Sequence, residues 1–274
     1  MYKGMKIAVV IPARNEEKHL PNVLATIPDF VDEVVVIDDG STDKTPELVG
    51  DASLVQLNGE GVGAAIDSGH QFFLEKLDEE YISVVMAGDG QMDPADMKGL
   101  IEPIISRKAH HVKGERTDRA GKMPTHRRFG TFLLSSLTTL ACGQRIRDSQ
   151  CGYTATSSKV LKSWNWNDSW KGYGYPNWWL IRLSENGWRV AHVPVKAIYE
   201  GQKSGIRLYS FFPKVSIMLM VGLHMRIFRN TLNRPSFALP LTWVTYLAGW
   251  VYNPFLFVAT HIFDRIHVKG VLRD

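Results

Sequence analysis

The loop Asp89-Gly90-Gln91-Met92-Asp93-Pro94 follows an apolar run, Val84 to Met86, with no polar alternation. Such a run suits a central parallel strand covered on both faces. A carboxylate at Asp89 and a carboxamide at Gln91 are oxygen donors, the kind a hard divalent cation takes. The carboxyl end of a parallel strand is also where open α/β sheets bind ligands. Alone, the stretch reads equally well as a polar turn, with Asp93-Pro94 opening a helix. Two neighbouring loops decide for a site. Pro12-Ala13-Arg14-Asn15-Glu16 follows the apolar run Ile7 to Ile11, and Asp38-Asp39-Gly40-Ser41-Thr42-Asp43 follows Val34 to Ile37. On one sheet edge, these three loops supply what a nucleoside diphosphate needs: side chains for base and ribose, and a metal-holding carboxylate beside the phosphates.

Positive charge is at hand as well, at Arg116, Arg127, Arg128 and Lys203. Arg127-Arg128 opens an apolar helical stretch, Phe129 to Leu140, at the helix end that disfavours cations. Two arginines there ask for an anionic partner. Asp148 fits either a cap or a site residue. His110, His111, His126 and His192 lack metal-ligand spacing and read as core or surface residues.

The elements that must position these groups alternate. Strands are expected at Ile7 to Ile11, Val34 to Ile37, Ala52 to Leu57 and Val84 to Met86. Helices are expected from the Pro12 loop to about Ile27, from Thr45-Pro46, and from Gly59 to about Leu77. That order implies an α/β, doubly wound, mostly parallel sheet flanked by helices. Gly59 to Ala64 also fits G-x-G-x-x-A, but the dinucleotide fingerprint belongs on the first strand-to-helix turn. Here the glycines read as close-packing positions.

The 274 residues allow one large or two modest domains, and 45% apolar with 22% charged residues excludes wholesale disorder. Two cysteines are too few for a disulfide framework, so a reducing compartment is expected. No signal or transit peptide is read at the start. The net charge of +4 is uneven: from Lys196 onward there are ten Lys/Arg and three Asp/Glu. A basic, apolar tail suits a membrane surface with anionic lipid, and no nucleic-acid signature accompanies it. Tyr209 to Phe228 suits a helix in the membrane interface. Phe237 to Phe263 contains no Asp, Glu, Lys or Arg. It is long enough to cross a bilayer as one helix, unless Asn253-Pro254 breaks it into a re-entrant pair. Basic residues flank both ends, so orientation does not follow from charge. The catalytic part is expected on the cytoplasmic side. Trp164, Trp166, Trp170, Trp178 and Trp179 suit core packing or a membrane-facing rim.

Seven stretches together resemble a family-2 glycosyltransferase. They are Ile11 to Glu16, Val36 to Asp43, Asp89 to Pro94, Lys113 to Arg116, Arg127 to Gly130, Asp148 to Tyr153 and Trp188 to Val195. The nearest branch is the polyprenyl-phosphate hexosyltransferases, the dolichyl-phosphate mannose and glucose synthases. The resemblance implies a GT-A fold over residues 1–205, with 206–274 a membrane-associated helical segment. It implies that Pro12, Arg14 and Glu16 line the nucleotide pocket and that Asp38 and Asp39 hold base and ribose. Asp89 and Gln91 would hold Mg²⁺ or Mn²⁺ on the donor diphosphate. Arg116, Arg127 and Arg128 would face phosphates, with Lys203 at the acceptor. One departure stands out: where the family carries a carboxylate two residues before Asp89, this chain has Ala87.

A hydroxyl acceptor needs a general base. None stands within Lys171 to Trp179; the nearest acids are Asp168 and Glu185. An acceptor that is already a phosphate anion needs cations instead. The expectation is an inverting transfer of a hexose from UDP- or GDP-sugar to polyprenyl (dolichyl-type) phosphate at a membrane. The alternatives are the same fold acting on a hydroxyl of a glycolipid or saccharide, and a non-catalytic scaffold.

Overall fold

The structure, a computed structural model, describes residues 1–116, 125–172, 174–196, 198 and 208–273. Seven strands form one sheet: β1 (Lys6–Ala13), β2 (Glu33–Asp39), β3 (Ser53–Leu57), β4 (Tyr81–Val85), β5 (His111–Arg116), β6 (Thr154–Ser157) and β7 (Val190–Val195). Their order is β3-β2-β1-β4-β6-β5-β7. Every neighbouring pair is parallel except those made by β6, which runs antiparallel to β4 and β5.

β1 shows why the sheet is central. Ile7, Val9 and Ile11 enter one core, and Ala8 and Val10 enter another across the sheet. Side chains alternate with period two, so a strand apolar at every position is covered on both faces. The first face is covered by α1 (Leu20–Ala25) and α3 (Met97–Ile105), the second by α2 (Val62–Lys76), α5 (Ser158–Lys162) and α6 (Tyr175–Glu185), with α4 (Thr125–Cys142) lying beyond. Gly69 of α2 lies over β1, and a Cβ there would overlap the Val10 side chain.

Three expected elements differ. The helix after the first loop starts only at Leu20, because residues 14–19 are drawn into the site. The segment from Thr45 is a single 3-10 turn, Thr45–Leu48. The apolar stretch from Phe237 is not one helix. It folds as α8 (Ala238–Val251) and α9 (Leu256–Val271), preceded by α7 (Leu208–Asn233). The break has a local cause. Pro254 has no N–H and pushes Asn253 out of helical conformation, while the Asn253 carboxamide accepts from the Phe255 N–H at 2.9 Å. Among the described residues, no helix is long and apolar enough to cross a membrane.

Three of the helices beyond the sheet, α4, α6 and α7, share one polarity. Asn177 of α6 donates to Thr138 of α4 at 2.7 Å, and Ser184 donates to the Cys142 carbonyl, so α4 and α6 run parallel. Gly222 packs against Ile181, and Arg229 pairs with Glu185 at 3.0 Å, so α7 runs parallel to both. α8 returns antiparallel to α7, through Trp243 to Thr231 at 2.6 Å and Tyr246 to His224. α9 turns back again, with Thr260 bonded to Thr245 at 3.0 Å. The wholly buried Arg226 of α7 joins Asp264 of α9 (Nη1 to Oδ1, 2.7 Å) to the end of α4, donating to the Ala141 carbonyl at 2.6 Å.

Candidate active site

The three acidic loops meet at the carboxyl edge of the parallel strands. The loop after β4 is stitched to β1 beyond the last strand residue: Met86 N–H donates to the Val10 carbonyl and Gly88 N–H to the Pro12 carbonyl, both at 3.0 Å. A Cβ on Gly88 would sit 3.2 Å from the Ala13 Cβ, tighter than an ordinary contact, so the approach favours glycine. This brings Asp89 beside the Pro12–Glu16 loop. That loop is held in turn by the second. Asn15, at a left-handed φ of 57°, accepts from the Thr42 N–H at 2.8 Å, and its own N–H donates to Ser41 Oγ at 2.9 Å. Asparagine tolerates this conformation better than most residues. Glu16 N–H donates to Thr45 Oγ1 at 2.7 Å, which explains why the 3-10 turn is packed here.

Asp38 and Asp39 are nearly buried, and both carboxylates brace loops. Asp38 accepts from the Ser41 hydroxyl and N–H. Asp39 accepts from Glu60 N–H at 2.6 Å and Gly61 N–H at 2.9 Å, with the Arg14 guanidinium 3.9 Å away. The Gly59–Gly63 stretch therefore forms a wall of the site. Gly63 N–H donates to the Lys171 carbonyl at 2.9 Å, and a Cβ on Gly61 would lie 2.6 Å from the same oxygen. The close-packing reading of these glycines holds, and the loop before α6 is the partner they admit.

Asp89 and Glu16 share an electrostatic neighbourhood. Burial lifts both carboxyls above their ordinary values, and the Asp89 charge lifts Glu16 further. The Gln91 N–H, 3.0 Å from Asp89 Oδ1, and the charge of His19 act in the opposite direction. His19 Nδ1 lies 2.8 Å from Glu16 Oε2. Two partly desolvated carboxylates in one recess leave a negative potential that a cation relieves. No group of three or more His, Cys, Asp or Glu side chains able to hold a metal occurs among the described residues. The donor set on this loop is one carboxylate and one carboxamide. That fits Mg²⁺, which binds through one or two carboxylates and completes its shell with water and phosphate. Asp93 is a cap, accepting from Ala95 N–H at 2.9 Å with Lys196 Nζ at 3.8 Å, as its place before Pro94 suggested.

The expected phosphate-facing cations divide. Arg116 forms a two-pronged pair with Asp148, Nε to Oδ2 at 2.8 Å and Nη2 to Oδ1 at 3.0 Å. Asp148 is fully buried, so it is neither a helix stop nor a surface cap. Arg127 and Arg128 lie in the first turn of α4, but their side chains are outside the described residues. Lys203 also lies outside them. The backbone leading toward it is placed against the Asp89–Pro94 loop: Ile198 N–H donates to the Gln91 carbonyl at 3.1 Å.

Several residues were not singled out from sequence. Lys113 is buried and donates to the Cys151 carbonyl, and burial lowers its pKa to about 8. Gln150 donates to Asn177 Oδ1 at 2.7 Å, and Asn177 to Thr138, linking the Asp148 loop through α6 to α4. Lys113 and Gln150 lie in stretches that carry the family resemblance, and a lysine inside an otherwise strand-like run was a further visible signal. Trp164 and Trp179 stack at 3.9 Å in the core, so these two are not a membrane rim. His111 is a satisfied core histidine, 2.9 Å from Thr156 Oγ1.

Residues 8–164 match the model of glycosyl transferase family 2. The chain belongs to that family. This glycosyltransferase is 30% identical over 219 residues to the UDP-N-acetylglucosamine–dolichyl-phosphate N-acetylglucosaminyltransferase of Methanococcus voltae, covering 70% of this chain and 86% of that one. It is 29% identical over 205 residues to an undecaprenyl-phosphate mannosyltransferase of Micrococcus luteus, covering 70% and 83%. Among solved structures it resembles glucosyl-3-phosphoglycerate synthase of Mycobacterium tuberculosis bound to UDP. The TM-score is 0.60 at 22% identity, over 81% of this chain and 80% of that one. That likeness establishes the α/β GT-A fold of the glycosyltransferase.

Proposed function

We propose that this glycosyltransferase moves a hexose from a nucleotide sugar to a polyprenyl (dolichyl-type) phosphate, with inversion. The observation that carries the acceptor class is the state of the two acids nearest the loop before α6. Asp168 is paired with Arg182, and Glu185 with Arg182 at 2.6 Å and Arg229 at 3.0 Å. Both are charge-neutralised, whereas a general base must be free to take a proton. A phosphate acceptor brings its own negative oxygen. It needs positioning cations, which Arg127, Arg128 and Lys203 are suited to provide. The names of the two relatives above support the same acceptor class.

In this reading, an acceptor phosphate oxygen attacks the anomeric carbon in line. The bond from that carbon to the donor diphosphate breaks, and a nucleoside diphosphate leaves with the electron pair. Asp89 and Gln91 would hold Mg²⁺ or Mn²⁺, which would supply positive charge to offset that of the diphosphate. Pro12, Arg14 and Glu16 line the nucleotide pocket, and Asp38 and Asp39 shape its floor for base and ribose through the loops they brace. Arg116, fixed by Asp148, faces phosphate in this reading. The catalytic part comprises residues 1–205 and sits on the cytoplasmic side of a membrane, with 206–274 as the membrane-associated part.

The test is transfer from labelled UDP- and GDP-hexoses to polyprenyl phosphate. A product that releases its sugar in mild acid supports the reading. An acid-stable glycoside would show a hydroxyl acceptor instead, and no turnover with any donor would favour the scaffold.

A further inference from the structure

The C-terminal helices expose an unusual amount of apolar surface. On α8, Leu241, Val244, Leu247 and Val251 are 48%, 65%, 56% and 85% exposed; on α9, Val258, Ile262 and Ile266 are 62%, 54% and 55% exposed. Each set recurs every three or four residues, so each is one stripe along its helix. The turn between the helices adds Tyr252 at 90% and Phe255 at 83%. A monomer in water rarely leaves so many large apolar side chains in contiguous stripes without a use.

Length limits what can cover them. α8 has 14 residues and α9 has 16. At about 1.5 Å per residue they reach roughly 21 and 24 Å, short of a hydrocarbon core of about 30 Å. Charge indicates what rims them. Residues 208–273 carry seven Lys/Arg and one acid, Asp264, which is already consumed by Arg226. Lys214, Lys269 and Arg273 are exposed. Apolar stripes accompanied by exposed cations suit a leaflet rich in anionic lipid.

Polarity then fixes where the hairpin turn sits. α4, α6 and α7 run parallel and α8 runs against them, so the α8–α9 turn lies at the end where those three helices begin. The start of α4 carries Arg127 and Arg128, and the loop leading into α6 touches Gly63 at the wall of the site. The apolar turn is therefore level with the loop leading into α6 at the wall of the site, and the start of α4 reaches further in the same direction.

From this we infer that the α8–α9 hairpin is a one-leaflet anchor, not a membrane span. It enters the leaflet from which the acceptor is taken and holds the site at the headgroup level of that leaflet. The inference builds on the lipid-phosphate reading and adds the geometry by which such a lipid is met.

The full chain with Asn253→Cys at the hairpin turn tests it, because the native Cys142 and Cys151 are both buried. The protein is incubated with sealed phosphatidylcholine vesicles, with and without phosphatidylglycerol. Flotation and labelling by a membrane-impermeant maleimide, added outside or trapped inside, are then read. The expected result is flotation that is stronger with phosphatidylglycerol, and a thiol protected from reagent on both sides until detergent is added. Replacing Val251 and Phe255 with Asp is expected to weaken flotation at least about tenfold, since a charge in the leaflet costs more than 1.4 kcal/mol. Labelling by trapped reagent would overturn the inference in favour of a span. Full labelling from outside, or a dimer that ignores vesicles because a second copy covers the stripes, would overturn it too. A water-soluble short-chain prenyl phosphate separates the two readings. Turnover of it by a protein that ignores vesicles removes the anchor and keeps the acceptor. Vesicle binding without such turnover removes the acceptor and keeps the anchor.

Discussion

In the proposed reading, Asp89 is the residue on which the chemistry turns. Its carboxyl is held above the ordinary aspartate value by burial, so protons compete with a cation there at higher pH than at an exposed aspartate. The expected consequence is that Mg²⁺ affinity, followed by titrating activity with metal at several pH values, declines as pH falls through that raised value. Chelation should abolish turnover. Asp89→Ala should lower kcat/KM by about 100-fold or more, roughly 3 kcal/mol of transition-state stabilisation. Asp67 makes a different statement. It is buried on α2 with Oδ1 unpartnered, and burial raises its pKa to about 7. Its folded value exceeds its unfolded one, and the protonated form is the one the fold accepts. Stability from this group is therefore full below the unfolded pKa of roughly 4 and is lost as pH rises toward 7. Asp67→Asn should raise Tm at pH 8, by an amount worth up to roughly 4 kcal/mol, and leave it nearly unchanged at pH 4. Differential scanning calorimetry at the two pH values checks both signs.

Among the elements, the strand-end loops were legible in the sequence. Each combines an apolar run with a polar exit, and both signals are local. The parallel sheet and the reading of Gly59 to Ala64 as packing followed for the same reason. Gly69→Ala should destabilise by about 1–3 kcal/mol through overlap with Val10, measurable as a lower denaturant midpoint. What was hidden is non-local. Arg116 and Asp148 are 32 residues apart, and only the sheet order brings β5 beside the loop before β6. The Gln150–Asn177–Thr138 chain joins two helices and a loop that periodicity cannot pair. The break at Asn253-Pro254 was visible. That it ends both helices short of a bilayer's thickness followed only from where the helices begin and end.

At the scale of the whole molecule, a catalytic α/β part meets a basic, apolar helical part where Arg226, paired inside the helical part with Asp264, donates to the Ala141 carbonyl of α4. Arg226 and Asp264 are 0% and 1% exposed, and Gly143, at φ +67°, leaves room for both. Removing one partner strands a charge in the interior. Arg226→Met should cost about 3–5 kcal/mol, and adding Asp264→Leu should recover most of it, which a double-mutant cycle on thermal stability would show. The same contact fixes the hairpin relative to α4. The account as a whole stands on the class of acceptor. Its most direct test is the mass and acid lability of the product formed from UDP- or GDP-hexose and polyprenyl phosphate in the presence of Mg²⁺. The account predicts a hexosyl polyprenyl monophosphate that loses its sugar in mild acid, formed with one nucleoside diphosphate per transfer. An acid-stable glycoside on a hydroxyl acceptor, with polyprenyl phosphate left unmodified, would contradict it.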